Sequence, residues 1–180
     1  MIYLNNYGWN DKLHQLKQES AYNSLTHGRI SIVHRTCYEV VSENGLFQCE
    51  LTGNMMYGKS DFDLPCTGDW VLFQPFDEHK GIIVDILPRE RTLYRKKNGT
   101  VADKQAIASY VDKAFIVQSL DDNFNVRRAE RFIAQIMEEN IKPVLVLNRA
   151  DLGCDRQNID EAIKHIARQF PVSVSYTHLT

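Results

Sequence analysis

The chain has 180 residues, 43% of them hydrophobic and 24% charged, with a formal net charge of −2. That is apolar material enough for the core of one or two domains, and no overall basic excess announces a nucleic-acid binder, although a local patch is compatible with it. No apolar run approaches membrane-spanning length, and the opening "MIYLNNYGWNDK" has neither the basic start nor the apolar stretch of a signal peptide, which points to a cytoplasmic protein without a membrane partner. The four cysteines (Cys37, Cys49, Cys66 and Cys154) form no C-x-x-C pair and have no histidine at ligand spacing. They read as buried reduced thiols, with no metal site in this chain. None of the scattered histidines is assigned a catalytic role.

The first predicted element is a helix in "GWNDKLHQLKQESAYNSL", where Trp9, Leu13, Leu16, Ala21 and Leu25 approximate one face. From Gly28 to Pro88 the texture changes to strands. "GRISIVHRTCYEVVS" alternates at Ile30 and Ile32 and again at Tyr38 and Val40, "ENG" is a hairpin turn, and "LFQCELT" returns with Phe47, Cys49 and Leu51 on one side. "GDWVLFQPF", a turn at "DEHKG" and "GIIVDILP" complete the set. Several short strands joined by hairpins predict a small closed barrel, most economically of the five-stranded OB type.

Next comes "RERTLYRKK", five basic residues against one Glu, interleaved with Leu93 and Tyr94. Phosphate contact and base stacking use this mixture, and so does a solvated linker. From Val111 onward the pattern is strand–helix–strand–helix–strand. "KAFIVQS" is a nearly continuous apolar run, which predicts a strand covered on both faces. "VRRAERFIAQIMEEN" carries Val126, Ala129, Phe132, Ile133, Ile136 and Met137 on one helical face, and "KPVLVLN" is a second buried strand. "IDEAIKHIARQF" repeats the amphipathic helix and "PVSVS" opens a third strand, the start of a doubly wound α/β domain. A three-strand sheet ending at "YTHLT" is poorly covered, so the chain reads as truncated, with "YTHLT" outside the natural continuation.

One string invites a nucleotide at once. "GNMMYGKS" at 53–60 satisfies G-x-x-x-x-G-K-[ST], the phosphate-cradling loop. That loop requires a helix after Ser60, so that backbone N–H groups face the phosphates. The residues there are "DFDLPCTGDW", turn chemistry with two carboxylates that would repel phosphate. A surface loop between strands is the better reading.

The chemistry lies instead in "VLVLNRADL". Ligands of open α/β sheets bind outside the carboxyl ends of strands, and a strand ending in Asn-Arg-x-Asp aims Asn148 and Asp151 there. An ionised Asp151 can accept from N1–H and the exocyclic amine of guanine, donors that adenine lacks at those positions. Asn148 can bond the base or tie the loop, and Arg149 can lay its planar guanidinium over the ring. The alternative is that Asn148 and Asp151 merely cap a turn. The buried strand before them and Ser175 at the end of a later strand favour guanine.

A guanine reader ahead of any phosphate loop is an unusual order. Taken with "GWN", "GRIS", "TGDWV", "ILPRERTLYRK", "VDKAFIVQSLDDNFNVRRAERF" and "PVLVLNRADL", it resembles the RsgA (YjeQ) family of circularly permuted GTPases. The resemblance implies an N-terminal helical segment at 1–27, an OB-type RNA-binding barrel at 28–92 and, at 93–180, a circularly permuted P-loop-GTPase-like α/β domain truncated before its phosphate loop. It implies a monomeric cytoplasmic enzyme that hydrolyses GTP with Mg2+ during late maturation of the small ribosomal subunit, contacting ribosomal RNA. Guanine-binding residues would be Asn148, Arg149, Asp151 and Ser175, and RNA-binding residues Arg89, Arg91, Arg95, Lys96 and Lys97. No catalytic residue falls in this chain, and the family's zinc belongs to a C-terminal domain beyond it. Three positions depart from the family pattern: Arg149 stands where Lys is usual, Tyr110 where Asn is usual, and Tyr176 where a small residue is usual. Two further readings compete: a non-catalytic OB-fold RNA-binding module with an α/β appendage, and an ATPase using Gly53 to Ser60.

Overall fold

A computed structural model describes residues 2–57, 60, 62–96, 104–120, 124–149, 156–170 and 173–176. Two compact units divide the chain, Met1–Tyr110 and Val111–Thr180. No helix among the described residues is long and apolar enough to cross a membrane.

Unit 1 is built on five strands, β1 (Thr26–Val33), β2 (Tyr38–Ser42), β3 (Gly45–Leu51), β4 (Trp70–Asp77) and β5 (Lys80–Ile86). They close in the order β1-β2-β3-β5-β4, with β3 and β5 parallel and the other pairs antiparallel. This is the barrel expected from the alternating strands. Inward residues fill it: Ile30, Val40, Phe47, Cys49, Val71, Phe73 and Ile83 form one cluster, with Phe47 and Phe73 rings 5.1 Å apart. Burying each such side chain contributes about 1.5–3 kcal/mol before conformational entropy is charged against it. Close packing dictates Gly28, where a Cβ would stand 2.5 Å from Val40 Cγ1 and 2.6 Å from the Val41 carbonyl oxygen. Strand β1 is bulged between Ile30 and Ile32, and beyond the bulge Ile32 and Val33 are exposed.

The N-terminal helix is shorter than the apolar spacing predicts. Helix α1 (Asp11–Glu19) starts at Asn10, whose side chain accepts from the Leu13 N–H, and ends at Ser20. Residues 20–25 are turns, so Ala21 and Leu25 are not on it. Leu13 joins Leu4, Val41, Trp70, Leu72 and Leu87 in a second apolar cluster. Trp9 sits edge-on to Trp70 at 4.9 Å and lies 4.1 Å from the His27 ring. Lys17 Nζ is 3.3 Å from His27 Nδ1.

Burial, then the charges of Lys17 and His14, push the His27 pKa down to about 4 from 6.5. The imidazole is therefore neutral in the fold at pH values where the unfolded chain protonates it. Its contribution is intact above pH 6.5 and is lost as pH falls toward 4, because the unfolded state then binds the extra proton. Stability of unit 1, followed by tryptophan fluorescence in urea, is expected to drop across that window. His27→Gln should flatten the drop, and an unchanged profile would remove His27 from the account.

After β5 the basic segment forms a hairpin that the sequence did not disclose, β6 (Leu93–Lys96) against β7 (Lys104–Ala108). It falls within unit 1. Beneath it lies a buried carboxylate. Asp69 is fully buried and accepts from Arg89 Nε (2.9 Å) and Nη2 (2.7 Å), Ser109 Oγ (2.5 Å) and the Cys66 N–H (2.8 Å). Gly68 permits the approach: its φ is +93°, and a Cβ there would meet the Ser109 carbonyl oxygen at 2.3 Å. Tyr110, at φ +55°, donates its N–H to the Glu90 carbonyl and its hydroxyl to the Pro88 carbonyl at 2.5 Å. Asn takes this left-handed conformation more readily than Tyr, which gives the departure at Tyr110 a physical cost of about 1 kcal/mol.

Unit 2 is a parallel sheet, order β10-β9-β8, from β8 (Lys113–Ser119), β9 (Lys142–Asn148) and β10 (Ser173–Tyr176). Helix α3 (Val126–Glu138) joins the first two and α4 (Arg156–Gln169) the last two, α2 being the short helix Gly53–Tyr57 of unit 1. Both crossovers step the same way, and right-handed connections then place both helices on one face. Ala129, Ile133 and Ile136 of α3 and Ile166 of α4 are buried, beside Ala114, Ile116, Leu145 and Leu147 of the strands. The other face corrects the reading of "KAFIVQS" as covered on both sides. Phe115 and Val117 are 66% and 62% exposed. An apolar run cannot distinguish a strand already covered from one whose second face is bare.

Candidate nucleotide and RNA-binding sites

Over Gly53–Tyr57 the described residues do not form a phosphate loop. Helix α2 (Gly53–Tyr57) occupies the positions that should be loop, and its Met55 is buried in the barrel cluster. Gly58, Lys59 and Asp61 lie outside the described residues. Ser60 donates its hydroxyl to Asp63 (2.6 Å), and the Asp63 N–H returns to the Ser60 carbonyl, so the chain turns where a helix would be needed. A plain surface loop was expected here, and a helical turn between β3 and β4 is found.

The carboxyl end of the unit 2 sheet holds the guanine candidates. Asn148 ends β9, opposite Ser119 of β8, and its backbone carbonyl accepts from the Leu120 N–H at 2.9 Å. Its side-chain Oδ1 accepts from the Arg149 N–H, also at 2.9 Å. Arg149 is exposed and takes φ +57°. The Asn148 side chain thus closes the first turn after the strand and holds Arg149 in a left-handed conformation. Of the two roles offered by the sequence, tying the loop is the one the geometry displays. Ser175 pairs in register with Val146, on the strand beside β9, which brings its backbone to the same edge. Asp151 lies outside the described residues.

The basic segment divides. Arg89 gives Nε and Nη2 to Asp69, Nη2 also to the Leu64 carbonyl (2.5 Å) and Nη1 to the Phe62 carbonyl. Its side chain is 13% exposed. Burial would lower its pKa, but the hydrogen bond and charge of Asp69 outweigh that and hold it raised. Arg89 is therefore a structural cation in this fold, each guanidinium nitrogen engaged inside the protein, and its RNA contact stays a proposal. Arg91 is half-buried beside Glu90, with Nη1 to Oε2 at 3.2 Å. Arg95 is exposed and donates Nε to Gln105 Oε1 at 3.0 Å. Across the hairpin Lys104 Nζ stands 3.9 Å over the Tyr94 ring, and Lys96 pairs with Lys104 in register. Lys97 lies outside the described residues. What the sequence missed is a second basic surface in unit 2, at Arg127 and Arg131 of α3; on a helix such charges read as a solvated face.

Metal chemistry finds no seat in what is described: among the described residues no group of three or more His, Cys, Asp or Glu is arranged to hold an ion.

At the level of fold the chain is similar to circularly permuted GTPases. The solved structure of the circularly permuted GTPase YloQ superposes with a TM-score of 0.59 at 21% identity, covering 89% of this chain and 54% of that one. YjeQ from Thermotoga maritima gives 0.58 at 19%, over 84% and 51%. The family model described as RsgA GTPase matches residues 86–179, more than half of the chain, and the chain belongs to that family. It is 76% identical over 169 residues to the small ribosomal subunit biogenesis GTPase RsgA 1 of Bacteroides thetaiotaomicron, covering 94% of this chain and 48% of that protein. The small ribosomal subunit biogenesis GTPase RsgA of Methanosarcina acetivorans is 35% identical, over 92% and 44%. The chain spans about half the length of the curated relatives it matches.

Proposed function

We propose that this chain serves a cytoplasmic, monomeric GTPase of small-subunit assembly, with unit 2 reading guanine through Asn148, Arg149, Asp151 and Ser175. The barrel and the hairpin carrying Arg95 and Lys96, with Lys97 next in the sequence, face ribosomal RNA, and Arg91 stands at the margin of that surface. Domain limits at residues 28 and 93 belong to the same proposal. The observation that carries it is the end of β9, where Asn148 Oδ1 accepts from the Arg149 N–H and shapes the turn that leads to Asp151. A strand end of this kind, at the ligand-binding edge of a parallel sheet, suits a base reader. Membership of the RsgA GTPase family supports the nucleotide, and the name of the Bacteroides relative supports the small subunit. GTP with Mg2+ is the substrate complex, and positioning by a phosphate loop is what the chemistry needs. Unit 1 offers none at 53–60, so hydrolysis depends on residues beyond this chain, where the zinc of the family is also placed.

The test is a chimera of residues 1–175 with the C-terminal half of the Bacteroides relative. It is expected to hydrolyse GTP faster with purified small subunits than without them, while 1–180 alone gives no turnover above a no-enzyme control. Lys59→Ala should leave both unchanged. Turnover by 1–180, or a tenfold loss of nucleotide affinity in Lys59→Ala (about 1.4 kcal/mol), would return the site to residues 53–60.

A further inference from the structure

Helix α3 begins against its own electrostatics. Its N-terminus carries partial positive charge, yet the first turn has no acidic residue and the first two turns hold Arg127, Arg128 and Arg131. Asn125 caps the helix by accepting from the Arg128 N–H at 3.0 Å. Helix stability alone would select Asp or Glu at these positions.

Two of these arginines share a groove. Arg127 and Arg131 stand one turn apart on the same stripe of α3 and line, with Asn125, Glu130, Ala134 and Phe170, a groove of about 550 Å³. Phe170 follows α4, its N–H bonded to the Ile166 carbonyl, and supplies half-buried aromatic surface. The one carboxylate in the lining, Glu130, is engaged by His165 Nε2 at 3.3 Å. Among the described residues neither Arg127 nor Arg131 forms an ion pair. Two guanidinia and a ring along one open groove match a backbone with repeated negative charge and stackable bases.

We propose that this groove binds the sugar-phosphate backbone of RNA, with Arg127 and Arg131 on successive phosphates and Phe170 against a base. The proposal rests on the small-subunit reading above and adds to it a contact in unit 2, apart from the hairpin of unit 1. An acidic peptide would use the arginines without the ring, and the phosphates of a bound nucleotide are a second source of the same anion. The test separates all three.

The probes are a fluorescein-labelled single-stranded RNA of about 16 nucleotides, purified small subunits, labelled GDP and a polyglutamate peptide. They are titrated against the 1–180 chain and the Arg127→Glu/Arg131→Glu and Arg127→Gln/Arg131→Gln variants. Both variants are expected to lose roughly 10- to 100-fold in RNA affinity, with the slope of log K against log salt shallower by about 1.4, two phosphates at about 0.7 each. The thermal midpoint of the Glu variant should hold or rise, since acidic residues suit a helix N-terminus. GDP binding should not change. Unaltered RNA affinity and slope in both variants would overturn the groove alone. A loss confined to polyglutamate would reassign it to an acidic protein, and a matching loss for GDP to the nucleotide. If the wild-type chain binds neither RNA nor subunit, the small-subunit reading falls together with the groove.

Discussion

Asp69→Ala is expected to cost unit 1 about 3–5 kcal/mol, because it strands the Arg89 guanidinium in a buried place with no counter-charge. The loss has several parts. Arg89 keeps its hydrogen bonds to the Phe62 and Leu64 carbonyls but loses its three hydrogen bonds to the carboxylate. Ser109 Oγ and the Cys66 N–H are left as buried donors. Both tryptophans lie in unit 1 and touch one another, so fluorescence during urea titration of the whole chain reports this unit. A fall in midpoint with unchanged slope is the expected form of the loss. The control is Asp69→Ala/Arg89→Met, which removes the charge along with its partner. It should recover much of the loss, since an apolar pair often replaces a buried ion pair at little cost. A loss under about 1 kcal/mol in the single variant, ordinary for a surface change, would show that the carboxylate does not hold the hairpin to the barrel.

The second large effect concerns specificity. In the chimera with the Bacteroides relative's C-terminal half, Asp151→Asn is expected to turn base preference from guanine toward xanthine. A carboxylate offers acceptors to N1–H and the exocyclic amine of guanine, whereas an Asn sets an NH2 against that amine. Losing the charge-assisted pair and leaving a donor unpaired should cost on the order of 2–4 kcal/mol, roughly 30- to 1,000-fold in affinity. Xanthine carries a carbonyl where guanine has the amine, and the new NH2 can donate to it. Competition of labelled GDP by GTP, XTP and ATP, on wild type and variant, is the measurement. Unchanged GTP binding by Asp151→Asn would leave that residue a turn cap and move the base site elsewhere.

The sequence was most readable where local pattern and tertiary environment agree. β8 and β9 were placed at their observed residues, and α3 to within two residues of its observed end, because buried strands and an amphipathic helix each carry their own period. The barrel followed from alternation and the turn before Gly45. Pairings between distant residues were harder. Nothing in "RERTLYRKK" says that Arg89 is consumed by a carboxylate at Asp69 while Arg95 stays at the surface. A window sums charges without knowing which are already matched. β6 escaped for a similar reason: a four-residue strand rich in charge has no period of its own, and its partner β7 stands eight residues further on. The strand end at Asn148 was legible because a buried strand carries its own period. What that end binds is not written in the period, and the guanine role of Asn148, Arg149, Asp151 and Ser175 stays a proposal.

The exposed pair Phe115 and Val117 sets a clock on the protein's birth. At synthesis rates of about 5–20 residues per second, the stretch from Val111 to Tyr176 takes roughly 3–13 s to emerge. The three strands and two helices that it encodes fold far faster than that, helices in microseconds or less. During that interval and after it, β8 carries an aromatic and a β-branched side chain in water, at the edge of the three described strands. An apolar edge of this sort is a template for pairing with another chain, so crowded polysomes translating the same message hold the greatest hazard. Holdase chaperones recognise such surfaces, and the yield of intact protein should follow their supply and the pace of translation more closely than it follows the stability of the finished barrel.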